Sequence, residues 1–180
     1  MARGGSDAGE GEGADEGEGA DEGEAVLIAA ALVLAAERGA LGVWERWAAL
    51  REGAPPRCFA IAQPVRDDGS TDRRGGYASV VARAGPTRAP SVYFRLSRPR
   101  APDARVTLAV GERRFALAGD LVSARAPDAA TDRAIVAALR AARLMTLTTA
   151  DRAGRAVADS YTLAGAPSAI DAAQLGCAGE

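Results

Sequence analysis

Histidine, lysine and asparagine are absent from the 180 residues. Without histidine there is no Ser-His-Asp or Cys-His pair to activate a nucleophile. Without lysine there is no Schiff-base amine, no phosphate-loop lysine and no Ser-x-x-Lys nucleophile. The two cysteines, Cys58 and Cys177, form no Cys-x-x-Cys pair, and no histidine completes a zinc site around them. All 22 basic residues are therefore arginine. Lysine and asparagine share codons beginning AA, so their joint absence points to a GC-rich coding sequence rather than to a demand for guanidinium groups.

Large apolar side chains are scarce too. Hydrophobic residues make up 48% of the chain but aromatics only 4%, and much of the apolar count is alanine. The core must be built from a short list that includes Trp44, Trp47, Phe59, Tyr93, Phe94, Phe115, Ile135, Leu139, Leu147 and Tyr161. Burial free energy scales with apolar area, so both the core and its stability should be modest.

The net charge of −2 hides an asymmetry. Residues 1–24 carry nine acids against Arg3, which gives −8; the remainder carries 21 arginines and 15 acids, which gives +6. The leader repeats GEGADE at 11–16 and 17–22. Like charges repel, glycine resists ordering and nothing apolar is present to bury, so 1–24 reads as a disordered, solvated leader. Its glycines alternate with carboxylates, which repel phosphate, so this is no dinucleotide-binding fingerprint.

Twelve apolar residues follow, AVLIAAALVLAA at 25–36. The run is too short to span a bilayer as a helix. It fits a buried N-terminal helix, the hydrophobic region of a secretory signal, or a membrane-associating helix over 25–40. A secretory signal wants a basic segment before it, whereas here the preceding residues are acidic; a translation start nearer Ala25 would resolve that. Export is the favoured reading.

From residue 43 onward the pattern predicts one β-rich α+β domain, mainly antiparallel, with a sandwich-like sheet built of hairpins. Trp44 and Trp47 read as an aromatic cluster closing one end of a small core. CFAIAQP at 58–64 reads as a strand, and the acidic turn at 67–72 as a hairpin loop. That turn lacks the alternate ligand spacing and closing glutamate of a calcium loop. Residues 77–83 and 91–97 are further strands, the latter with Val92, Phe94 and Leu96 inward and Tyr93, Arg95 and Ser97 outward. Residues 105–110 and 113–118 pair across a Gly111-Glu112 turn, with Arg95, Arg105 and Arg114 on the solvent side. One mid-chain helix near 131–143 presents Ile135, Ala138, Leu139 and Ala142 on one face. A second hairpin spans 144–163. A capping box at Ser168–Asp171 opens a short C-terminal helix.

Taken in order, these segments resemble the invasion-associated locus B family of bacterial exported proteins. The likeness runs from about Val43 to Cys177. It rests on Trp44, the cysteine strand CFAIAQ (58–63), the hairpin RVTLAVGERRFALAG (105–119), the helix-to-strand stretch 132–165 and the terminal helix with Ala169 and Ile170. The resemblance implies a periplasmic or outer-membrane-associated protein of β-sandwich-like character, with no established enzymatic activity. The family often carries a cysteine soon after the tryptophan and others mid-chain; here Ala48, Ala49 and Leu50 follow Trp44, and only Cys58 matches. Cys58 and Cys177 are either two buried thiols or, in an oxidising compartment, one disulfide tying the first core strand to the C-terminal segment. Cα atoms within about 7 Å would support the disulfide.

No catalytic, cofactor-binding or metal-binding residues are assigned. Asp120, Asp128, Asp159 and Asp171 are the acids from which a carboxylate pair could be drawn, and nothing in their spacing brings two together. Asp159, between Val157 and Tyr161, is expected at a sheet edge or beside an arginine. A single interleaved aromatic, Tyr93, does not make a nucleic-acid surface of the arginines. Three functions follow: an envelope binding or structural module with an unidentified protein or ligand as partner, a cytosolic interaction protein with an acidic tail, and an enzyme using only carboxylates, hydroxyls and arginine.

Overall fold

The computed structural model describes residues 38–66, 68–72, 74–83 and 89–178. The acidic leader and the apolar segment lie outside the described residues as far as residue 37. Residues 38–40, read above as the end of a helix, already belong to the first strand. The elements are β1 (Arg38–Trp44), β2 (Trp47–Glu52), β3 (Arg57–Ala62), β4 (Tyr77–Arg83), β5 (Ser91–Arg95), β6 (Val106–Val110), β7 (Arg113–Leu117), β8 (Ser123–Arg125), α1 (Ala129–Ala141), β9 (Leu144–Ala150), β10 (Ala156–Thr162) and α2 (Ala166–Gly176). They make two antiparallel sheets, ordered β1-β2-β3-β4-β5-β8 and β10-β9-β6-β7. The fold is mainly antiparallel β with two helices among the described residues, in keeping with the α+β expectation.

Trp44 and Trp47 are the closing pair of a β1–β2 hairpin whose turn is Glu45-Arg46. Gly39 and Gly42 disfavour helix in this stretch, and alternation takes over: Trp47 and Ala49 are buried while Ala48 and Leu50 lie on the opposite face. The Trp47 indole N–H donates to the carbonyl of Thr162 at 2.8 Å. Trp47 thereby ties the six-stranded sheet to β10 of the other.

The inner face of the large sheet is nearly all small. Ala49, Cys58, Ala60, Ala62, Ala78, Ala82 and Ala124 are buried there, with Trp47, Val80, Val92 and Phe94 as its larger members. α2 covers β1–β4, its Cα atoms coming within 8 Å of theirs, and it too presents alanines, Ala166, Ala169 and Ala173, beside Ile170. Val106, Leu108, Val110, Met145 and Leu147 of the small sheet and Ile135 and Leu139 of α1 join the same buried cluster.

The starts of the two helices differ in kind. α1 begins two residues earlier than its apolar spacing suggested, and Asp128 caps it by accepting from the Thr131 amide at 2.8 Å. The capping box expected at Ser168–Asp171 does not form, because α2 starts at Ala166 with Pro167 in its first turn. Gly165 precedes it at φ +82°, and a Cβ there would lie 2.1 Å from the Trp44 carbonyl oxygen. Glycine serves that junction for both reasons. Asp171 instead pairs with Arg140 of α1 at 2.6 Å.

Cys58 and Cys177 form a disulfide, with Cα atoms 5.9 Å apart across 119 positions of sequence. It fastens the residue after α2 to the centre of the sheet that α2 covers. Chain-entropy reasoning assigns a loop of this length about 4 to 5 kcal/mol. Reduction, or the Cys58→Ala/Cys177→Ala variant, should lower unfolding free energy by about that amount, measured as a lower urea midpoint with a slope equal to or steeper than the parent's, because the unfolded chain is less compact.

Candidate functional site

Among the described residues, buried polar groups gather where the β3–β4 connection crosses β10. Val65 bridges to Ser160 of β10, its amide donating to the Ser160 carbonyl at 2.7 Å, and also to Thr71 across its own loop. The Asp72 amide donates to the Pro64 carbonyl at 2.8 Å, which closes the strap. This holds the strap along an edge strand whose outer backbone groups would otherwise be open for pairing.

Two carboxylates are buried here, Asp72 at 3% and Asp159 at 1% exposure. Asp159 accepts from the Ser97 amide at 2.9 Å and from the Ser97 hydroxyl. Asp72 accepts from the Arg74 amide at 3.1 Å and takes the Arg74 guanidinium through both oxygens. The hydrogen bonds from Arg74 hold the Asp72 carboxyl below its ordinary value near 3.8, against the opposing effect of burial. Tyr161, near enough to feel the charge of both acids, is wholly buried, and its hydroxyl has no hydrogen-bond partner. Burial first, and then the charges of Asp159 and Asp72, push the Tyr161 phenol far up, so it stays protonated at any working pH. A cleft of 510 Å³ opens beside the cluster, lined by Arg66, Ser70, Thr71, Asp72 and Arg74.

Asp159 thus occupies an edge strand, as its sequence context suggested, but its partner is Ser97. Ser97, read as outward-facing, is buried, because β5 ends at Arg95 and the alternation stops there. Asp72 and Arg74 were hidden in a stretch that reads as a polar turn; their two-residue spacing carries no signal until the strap lies on β10. The other candidate acids stay apart. Asp120 accepts from the Val122 and Ser123 amides at 2.8 and 2.7 Å, Asp128 caps α1, and Asp171 pairs with Arg140. No group of three or more potential metal ligands occurs among the described residues. Chemically, the cluster joins the strap and the segment after β5 to β10, with each carboxylate committed to a donor.

No family model matches the chain, and no curated protein matches it in sequence. A solved structure does share the architecture. The fold is similar to that of invasion associated protein B from Bartonella henselae. The TM-score is 0.54 and the identity 16%, over 72% of this chain and 92% of that one. At that identity the likeness is one of fold alone.

Replacing Asp159 by Ala strands a buried amide and hydroxyl and should cost roughly 1 to 3 kcal/mol or more. Tyr161→Phe removes a buried hydroxyl that has no partner and should leave stability unchanged or raised, as read by urea unfolding. Asp72 has a folded value below its unfolded one, so its contribution is present above the ordinary carboxylate range and is lost as pH falls from about 4 downward. Asp72→Asn should therefore flatten the acid limb of stability against pH, measured by denaturant midpoints along a pH series.

Proposed function

We propose that this is an exported, non-enzymatic protein of the bacterial cell envelope, with a binding or structural role. The observation that carries the reading is the buried Cys58–Cys177 disulfide. Structural disulfides persist in oxidising compartments and are rare in the cytosol of mesophiles. The fold-level likeness to invasion associated protein B lends support, as does the apolar run at 25–36, which suits a secretory or membrane-associating segment. A cytosolic interaction protein would instead be expected to carry two free thiols.

The absence of histidine and lysine removes the commonest nucleophile–base pairs. The buried carboxylates serve Ser97 and Arg74, which suits a cross-linking role better than a poised acid–base pair.

Osmotic-shock fractionation of cells expressing the full chain, followed by thiol alkylation with and without reductant, tests the proposal. The protein should be released with the periplasmic contents or found with envelope membranes, and both cysteines should label only after reduction. Recovery in the cytosol with two freely alkylated thiols would sink it.

A further inference from the structure

We propose that the outer face of the six-stranded sheet docks an amphipathic helix of a partner protein, one whose apolar stripe is bordered by acidic residues. The proposal supplies a partner chemistry for the binding role above and rests on that reading only for its cellular setting.

β2, β3 and β4 carry α2 on one face. On the other face they present a second apolar surface. Leu50, Phe59, Ile61, Tyr77, Val81 and Tyr93 wall a trough of 440 Å³, with the buried Ser79 as its floor. Cross-strand pairing puts them side by side: Leu50 opposite Phe59, Phe59 opposite Val81, and Ser79 between Ile61 and Tyr93. The Tyr77 and Tyr93 rings lie 5.9 Å apart and form one wall. A second hollow of 430 Å³ adjoins it through the shared Ile61 and extends to Val43, which is 71% exposed on β1. No described helix covers this face. A sheet with apolar side chains on both faces fits a three-layer arrangement, in which each face is covered by another element.

Shape and charge select the occupant. Apart from Val43 at its edge, the wall residues are half-buried against one another. They form a channel that fits a rod, and they do not protrude as membrane-inserting side chains do. The trough has one acid, Glu52, already facing Arg57 at 3.6 Å, and the adjoining hollow adds one acid and one base, Glu45 and Arg46. Exposed Arg95 and Arg125 border it, since they pair with Tyr77 and Tyr93 on the same face. A second copy stacked face to face would set arginine against arginine. An acidic-bordered helix meets both the apolar floor and the basic rim.

The test uses the purified, oxidised full chain and two synthetic amphipathic peptides of about 18 residues, with leucines at helical spacing and either glutamate or lysine along the borders. Calorimetric titration should show the glutamate peptide binding with a Kd below about 100 µM, a bound set for a shallow groove of this kind. The lysine peptide should bind at least about tenfold more weakly. Arg95→Glu/Arg125→Glu should reverse that preference, and Val81→Asp should abolish binding, each variant first matched to the parent by circular dichroism and thermal midpoint. Equal binding of the two peptides, no binding of either, or variants that bind like the parent would each overturn the proposal. So would phosphatidylglycerol vesicles binding with the same variant sensitivity while the peptides do not, which would give the face to lipid. The titration is independent of compartment, so a cytosolic location would defeat the export reading and leave this result standing.

Discussion

An alanine-lined sheet cannot fill a deep core, and that constraint organises the molecule. With Ala49, Ala60, Ala62, Ala78 and Ala82 facing inward, only a close-lying partner removes their surface from water. α2 meets the requirement because its own buried face is alanine as well. Small side chains contribute little each, so the contact needs reinforcement. The Cys58–Cys177 bond supplies it at the C-terminal end of the helix and Gly165 allows the close approach at the other. The inner face of the large sheet has few large side chains, chiefly Phe94 and Trp47, which bridges the two sheets through Thr162; others lie on the small sheet and on α1.

The buried polar cluster follows from the same geometry. A strap that runs from the large sheet across the edge of the small one carries its backbone polar groups with it, and these must find partners. Val65 and Asp72 place theirs on Ser160 and Pro64. The carboxylates of Asp72 and Asp159 then bind Arg74 and Ser97, and Tyr161 is buried nearby with its hydroxyl unpartnered. The outer face has no such strap. Its apolar residues remain half-buried against each other, bordered by arginines that face solvent.

Local patterning was legible wherever alternation or helical spacing ran uninterrupted. Val106, Leu108 and Val110 point inward across the Gly111-Glu112 turn from Phe115 and Leu117, and Ile135, Ala138 and Leu139 lie on the buried side of α1. It failed where tertiary contacts override local signals. β1 is glycine-containing and adjoins a helix-favouring run, so its strand state depends on pairing with β2. Ser168–Asp171 has the spacing of a capping box, but Gly165 and Pro167 set the start of α2 earlier. The site was less legible than the fold. Asp159 stood out as an acid in an apolar strand, whereas Ser97, Asp72 and Arg74 looked like surface residues.

Composition alone decided what chemistry the chain lacks, because a missing side chain is missing in every conformation. It also decided that the core would be thin, because alanine adds little buried area. Tertiary structure alone decided the disulfide and the Asp159 network. Bringing Cys58 to Cys177 across 119 positions, and Ser97 to Asp159 across 62, depends on how two sheets and a strap are laid together. Periodicity assigns side chains to faces, and carries no information about which faces meet.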